Sequence, residues 1–179
     1  MKSNTPARYS VISKVFHWGM ATLVIAAIFL IEIKDFFPEG AWRNAVASLH
    51  MQAGLMVFGF IWFRLLWHIT HAEPPITPPL SYIQHLAAQL AHYALYGLMI
   101  VTPLLGFLAL QSKGKAITFL GYILPNLLNE DTWLHYALTL KDNHELLGNV
   151  FIWLIALHIA SAVWHHVFRH DDTLKRMLP

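Results

Sequence analysis

Residues 144–158 read HELLGNVFIWLIALH. Two histidines, His144 and His158, enclose thirteen residues that are mostly apolar. Fourteen helical steps span about 21 Å, and at about 100° per step they return the chain to nearly the same face. Both imidazoles therefore look in one direction, about two thirds of a bilayer's hydrocarbon thickness apart. Ionisable side chains inside a span are costly and usually mark function. The chemistry that two such groups serve is the question this helix poses.

The rest of the chain shares the character of that stretch. Its 179 residues are 56% hydrophobic and only 12% charged, with a mean hydropathy of +0.48. A soluble domain carries about twice that charge, so composition alone points to a membrane protein. There is no cysteine, which excludes disulfides, iron–sulfur clusters and thiolate zinc sites. The net charge of +2 gives no sign of a nucleic-acid partner. Histidine is the unusual residue: there are 12, as many as Lys and Arg together.

Four apolar stretches are long enough to cross a bilayer, at about 11–33, 46–67, 86–110 and 146–168. In lipid each must be helical, because no water satisfies free backbone groups there. The expected fold is an all-α, four-helix transmembrane bundle forming a single domain over 1–179. The first run lacks a small-residue cleavage site and is expected to stay as a span. Trp18, Trp42, Trp67, Trp133 and Trp164 fall near predicted ends, where aromatic belts sit. Residues 68–84, with EPPITPPL inside, cannot be helical throughout. Residues 111–143 make the longest loop, in which WLHYALTLK is expected to form a short surface helix.

Lys and Arg set the orientation. Lys2, Arg8, Lys14, Arg64, Arg169, Lys175 and Arg176 fall on one side; Lys34, Arg43, Lys113, Lys115 and Lys141 fall on the other. The bias places both termini in the cytoplasm. Acidic residues divide more sharply, with only Glu73, Asp171 and Asp172 on the terminal side, but weigh little in this rule.

Depth then follows from rise. His17 lies near the cytoplasmic end of helix 1 and His158 at a similar depth in helix 4. His50 lies near the outer end of helix 2 and His144 at the outer end of helix 4. Two histidines thus stand at each of two depths, as His17 with His158 and His50 with His144. Bare zinc prefers four ligands. Haem needs one axial ligand on each face and fills an interhelical gap with an apolar ring. Gly19, Gly54 and Gly148, two or four residues from these histidines, leave room for a flat ring. The bland alternative is interhelical hydrogen bonding by histidine. Four histidines at two matched depths favour two b-type haems.

Other side chains carry weaker signals. His92, inside span 3, suits a spare ligand, a propionate partner or a quinone contact. His165, seven beyond His158, extends the same stripe to the cytoplasmic interface. It suits either a quinone carbonyl or a snorkelling interfacial role. Arg64, within FIWFRLLW, suits a haem propionate or lipid phosphate. Lys113 and Lys115 flank Gly114 above the outer site. They could hold propionates, draw in a small anionic substrate, or anchor the helix at the membrane surface. His68, His71, His135 and His170 are expected to be solvated.

Taken together, the FHW of residues 16–18, the SLH opening helix 2, the H-x13-H helix and the ending HHVFRHDDTLKRMLP resemble the bacterial cytochrome b561 family. The resemblance covers essentially the whole chain. It implies a four-helix bundle in the bacterial inner membrane with two b haems, one held by His17 and His158, the other by His50 and His144. It also implies oxidation of superoxide to dioxygen, with electrons passing to ubiquinone. His165 matches a position associated with quinone binding, with Trp164 beside it. A basic residue stands in the family where Lys113 stands here; Lys115 has no such match.

Two rival functions remain. One is a haem-carrying subunit that links a protein redox partner to the quinone pool; the chain lacks a large docking extension for it. The other is a histidine-rich metal or proton transporter, for which no inverted repeat is visible. The oligomeric state is open, because faces containing Gly97 and Gly106 suit a second copy or a neighbouring helix.

Overall fold

Ser10 opens the first helix by accepting a hydrogen bond from the Ser13 amide at 3.2 Å. The resulting α1 (Val11–Lys34) runs to a turn at Pro38 and Gly40, from which α2 (Ala41–Thr70) returns. The proline-rich segment follows, and a capping box between Ser81 and Gln84 starts α3 (Tyr82–Gln111). Beyond α3 come two short strands, β1 (Ile117–Phe119) and β2 (Tyr122–Leu124), a four-residue α4 (Glu130–Trp133) and the long α5 (Ala137–Trp164). A π turn over His165–Arg169 and a short α6 (Thr173–Met177) end the chain. This computed structural model describes residues 8–71 and 74–178; Lys2 and Glu73 of the charge count lie outside them.

α1 packs on α2, α3 on α5, and α2 joins the two hairpins by packing on α3. The shared core is one apolar cluster: Met20 and Val24 of α1, Val57 and Ile61 of α2, Leu95 and Met99 of α3, and Phe151 of α5. Most of the remaining apolar surface faces outward. Within the most apolar window of each long helix, only 6–22% of residues are buried by protein. Four such helices, apolar and largely uncovered, require lipid as their solvent, so the chain is a multi-pass membrane protein.

The helices outrun the predicted spans. α2 starts at Ala41, α3 at Tyr82 and α5 at Ala137, because hydropathy registers only the part that lipid surrounds. The polar first turns of α5 are held by an ion pair one turn apart, Lys141 to Glu145 at 2.6 Å. WLHYALTLK is therefore not a separate surface helix: its second half is the start of α5. The β-hairpin was not expected either. Its two turn residues, Leu120 and Gly121, both have positive φ (49° and 87°), as a tight hairpin turn requires. Fully buried Gln111 ties the loop down. Its Nε2 donates to the Pro125 carbonyl at 3.2 Å, and its Oε1 accepts from the Leu127 amide at 2.6 Å.

The end that carries the termini is closed by a polar clasp. Thr77 and Asp172 exchange two hydrogen bonds, and the Arg176 guanidinium donates to the Pro74 carbonyl. Trp18 Nε1 donates to the Met177 carbonyl at 2.8 Å. At the centre is Asp171, whose side chain is 0% exposed; its Oδ2 lies 2.9 Å from Arg169 Nε and 2.5 Å from His165 Nδ1, and its Oδ1 accepts from the Thr173 amide at 3.0 Å. Burial pushes this carboxyl up, but the bonds from His165 and Thr173 outweigh it and hold the group below its ordinary value of 3.8. A depressed carboxylate stabilises fully above its unfolded value and loses that contribution as pH falls through the lowered folded one. Removing one member of such a buried network costs about 3 kcal/mol. Asp171→Ala is therefore expected to lower thermal stability at pH 7 by that order and to flatten the fall of stability below about pH 4. A melting curve equal to wild type at pH 7 would contradict the clasp.

Candidate functional site

The bundle brings the four span histidines together in the two expected pairs. The rings of His17 (α1) and His158 (α5) have centroids 6.4 Å apart, inclined at 52°. Those of His50 (α2) and His144 (α5) are 6.0 Å apart, inclined at 77°. Phe151, seven residues from each α5 histidine, is buried in the core cluster between the pairs. A metal–imidazole bond is about 2 Å long and the ring centre lies about 1 Å behind its nitrogen, so two rings facing one iron have centroids about 6 Å apart. Both pairs have that spacing. Among the described residues no group of three His, Cys, Asp or Glu converges to hold a metal ion. The arrangement is one of facing pairs, which suits axial ligation of a planar ring.

The tautomers add a second test of fit. His50 Nδ1 donates to the Ala27 carbonyl of α1, and His144 Nδ1 donates to the Thr102 carbonyl of α3, both at 2.8 Å. A carbonyl only accepts, so Nδ1 carries the proton and Nε2 presents its lone pair. This is the state a ligand needs. The other pair is different. Arg64 Nη2 lies 3.1 Å from His17 Nδ1, and guanidinium only donates. For His17 to offer Nε2 to iron, that guanidinium has to give up its contact.

Of the neighbouring side chains, His68 departs from its sequence reading. The His92 ring stands 5.7 Å from that of His158, so a third imidazole borders the first pair. Arg64 lies beneath Tyr96, 5.5 Å from the ring centre, and lines a small cavity with His68, His71 and Tyr9. His68 is thus half-buried against Tyr96 rather than solvated; the three residues beyond the predicted end of span 2 are still helix. His71 is exposed, as expected, and stacks on Trp67.

At the opposite end, Lys113 is half-buried and Lys115 exposed. Gly114 between them has φ +62°, and a Cβ there would collide with Glu130 Oε2. The Glu130 carboxylate therefore lies against the backbone of the residue between the two lysines. Sequence reasoning missed Glu130, because nothing in its spacing places it against residue 114. At the terminal end, Trp164 and His165 stand edge to face with centroids 5.2 Å apart. α5 stays regular through Trp164, and the helix widens to a π turn over His165–Arg169, so only the residues beyond His165 leave the 3.6-residue register.

Four lipid-facing helices enclosing two imidazole pairs, one of them already in the tautomer a ligand needs, fit a membrane cytochrome of the b type. The chain belongs to the prokaryotic cytochrome b561 family, whose sequence model matches residues 8–179. It is 31% identical over 172 residues to a probable superoxide oxidase CybB of Yersinia pestis, covering 96% of each chain. It is 30% identical over 173 residues to cytochrome b561 homolog 1 of Escherichia coli strain K12, covering 96% of this chain and 97% of that protein. Cytochrome b561 homolog 2 of the same strain is 31% identical over 188 residues, with 98% and 94% covered. Membership makes the protein a transmembrane electron-transfer protein that works with b-type haem.

Proposed function

We propose that the chain is a dihaem superoxide:ubiquinone oxidoreductase of the bacterial inner membrane, with both termini cytoplasmic. His50 and His144 would hold the outer haem, His17 and His158 the inner one. The observation that carries this reading is the pair of facing imidazoles, 6.0 and 6.4 Å apart, at two depths of one bundle. Haem b supplies one-electron transfer when bound. Two superoxide ions become two dioxygen molecules, and ubiquinone takes the two electrons and two protons to become ubiquinol.

The protein's own groups order this chemistry. The Ala27 and Thr102 carbonyls fix the outer imidazoles in the Nδ1–H tautomer. Core side chains, Phe151 among them, keep the space between the two sites apolar. Arg64 would pair with an inner propionate. Lys113 and Lys115 would draw the superoxide anion toward the outer site. At the inner interface, His165 would hold a quinone carbonyl and pass it a proton, with Trp164 against the ring. Asp171, bonded to Nδ1, leaves Nε2 to face the quinone.

The name of the Yersinia pestis relative supports superoxide as the donor. A haem subunit serving a protein redox partner is the alternative. Stable co-purification with a redox enzyme, and haems that superoxide leaves oxidised, would favour it.

Lys113→Gln with Lys115→Gln tests the entry. The double variant is expected to be reduced by superoxide several-fold more slowly at low salt, with a flatter ionic-strength dependence. An unchanged rate and slope would remove the lysines from the account.

A further inference from the structure

The two α5 histidines are housed differently: His144 is seated against two residues of α3, Thr102 and Gly106. A Cβ built on Gly106 would come within 2.9 Å of both Cε1 and Nδ1 of His144. Those are ring atoms, held by the Nδ1–H bond to the Thr102 carbonyl at 2.8 Å. Thr102 and Gly106 are one turn apart on α3, so they share a face. The first supplies the acceptor and the second supplies the space. By contrast, a Cβ at Gly97 or Gly148 would meet nothing within 4 Å.

We propose that Thr102 and Gly106 form a seat on α3 that fixes the ring plane of His144, making Gly106 a positioning residue for the outer haem. This rests on the assignment of His144 as a haem ligand. The face of α3 that contains Gly106 is thereby committed to α5 and not to a second copy of the chain. A methyl at Gly106 meets the imidazole at a distance real Cβ atoms essentially never show, so something must move. The ring is tied to a backbone carbonyl and cannot turn aside without losing that bond. The consequence is a misdirected Nε2, and it is confined to one of the two sites.

The test compares Gly106→Ala with Gly97→Ala, using haem per chain by absorbance and low-temperature electron paramagnetic resonance of the ferric protein. Gly97→Ala is expected to keep two haems. Gly106→Ala is expected to fall toward one haem per chain, or to keep two with a shifted resonance for one and an unchanged signal for the other. Two haems with both resonances as in wild type would overturn the seat while leaving the ligand assignment intact. A wild-type chain without two haems would instead defeat the assignment itself.

A variant that folds poorly is covered by a double-mutant cycle in His144→Ala. If the substitution at Gly106 acts through the ring, its effect on melting temperature disappears once the ring is gone. An equal loss in both backgrounds would show general damage to α3 packing and overturn the proposal.

Discussion

Replacing His144 with alanine is expected to leave the purified protein with one b haem per chain instead of two, and His50→Ala is expected to do the same. Both residues present Nε2 from opposite sides of one gap, and each has its tautomer set by a carbonyl on a neighbouring helix. Losing either would remove one of the two imidazoles that hold the ring and the side-chain hydrogen bond that orients it. The inner pair is a separate site, so its haem should stay and report that the variant is folded. The reciprocal variant, His17→Ala, should lose the inner haem and keep the outer. Because α5 carries one histidine of each pair, pyridine haemochrome counts on the four single alanine variants should divide them into two sets of two. Retention of two haems by any of them would assign the ligands wrongly. His92, 5.7 Å from His158, is the residue that would then need the same substitution.

The second large effect concerns the acceptor. His165→Ala is expected to slow reoxidation of the reduced protein by ubiquinone by at least about tenfold, the low end of what a positioned acid–base group contributes. Reduction by superoxide at the other face should stay as in wild type. The position of His165 supports this expectation: its ring stands against exposed Trp164 at the membrane interface, with Nδ1 on buried Asp171. Stopped-flow traces in two stages, superoxide first and quinone second, separate the two half-reactions. Equal reoxidation rates in variant and wild type would move the quinone elsewhere. The cavity bordered by Arg64, His68 and Tyr96 would be the next place to look.

How much of this was legible in the sequence depends on what each feature rests upon. The four helices and both histidine pairs followed from apolar length, a 1.5 Å rise and alternating direction, all of which survive without knowledge of any contact. The partners of the ligands did not. Ala27 and Thr102 act through backbone carbonyls, which look alike at every position, so no residue type marks them. Gly106 was visible as a small residue on α3, but only the path of α5 shows that His144 occupies its face. The hairpin at 117–124 is too short for a period-two signal, and Leu120–Gly121 was the one cue to its turn. His165 was placed by helical extrapolation along α5, whereas the π turn that follows it carried no sequence signal. Asp171 entered only the count of acids on the terminal side, because its burial depends on His165, Arg169 and Thr173 closing around it.

The most direct measurement is the visible spectrum of the purified, oxidised protein before and after a pulse of superoxide, with haem counted per chain and ubiquinone added last. The account predicts two b haems whose reduced bands appear with the pulse and decay when quinone is added. Haems that stay oxidised through the pulse would contradict it.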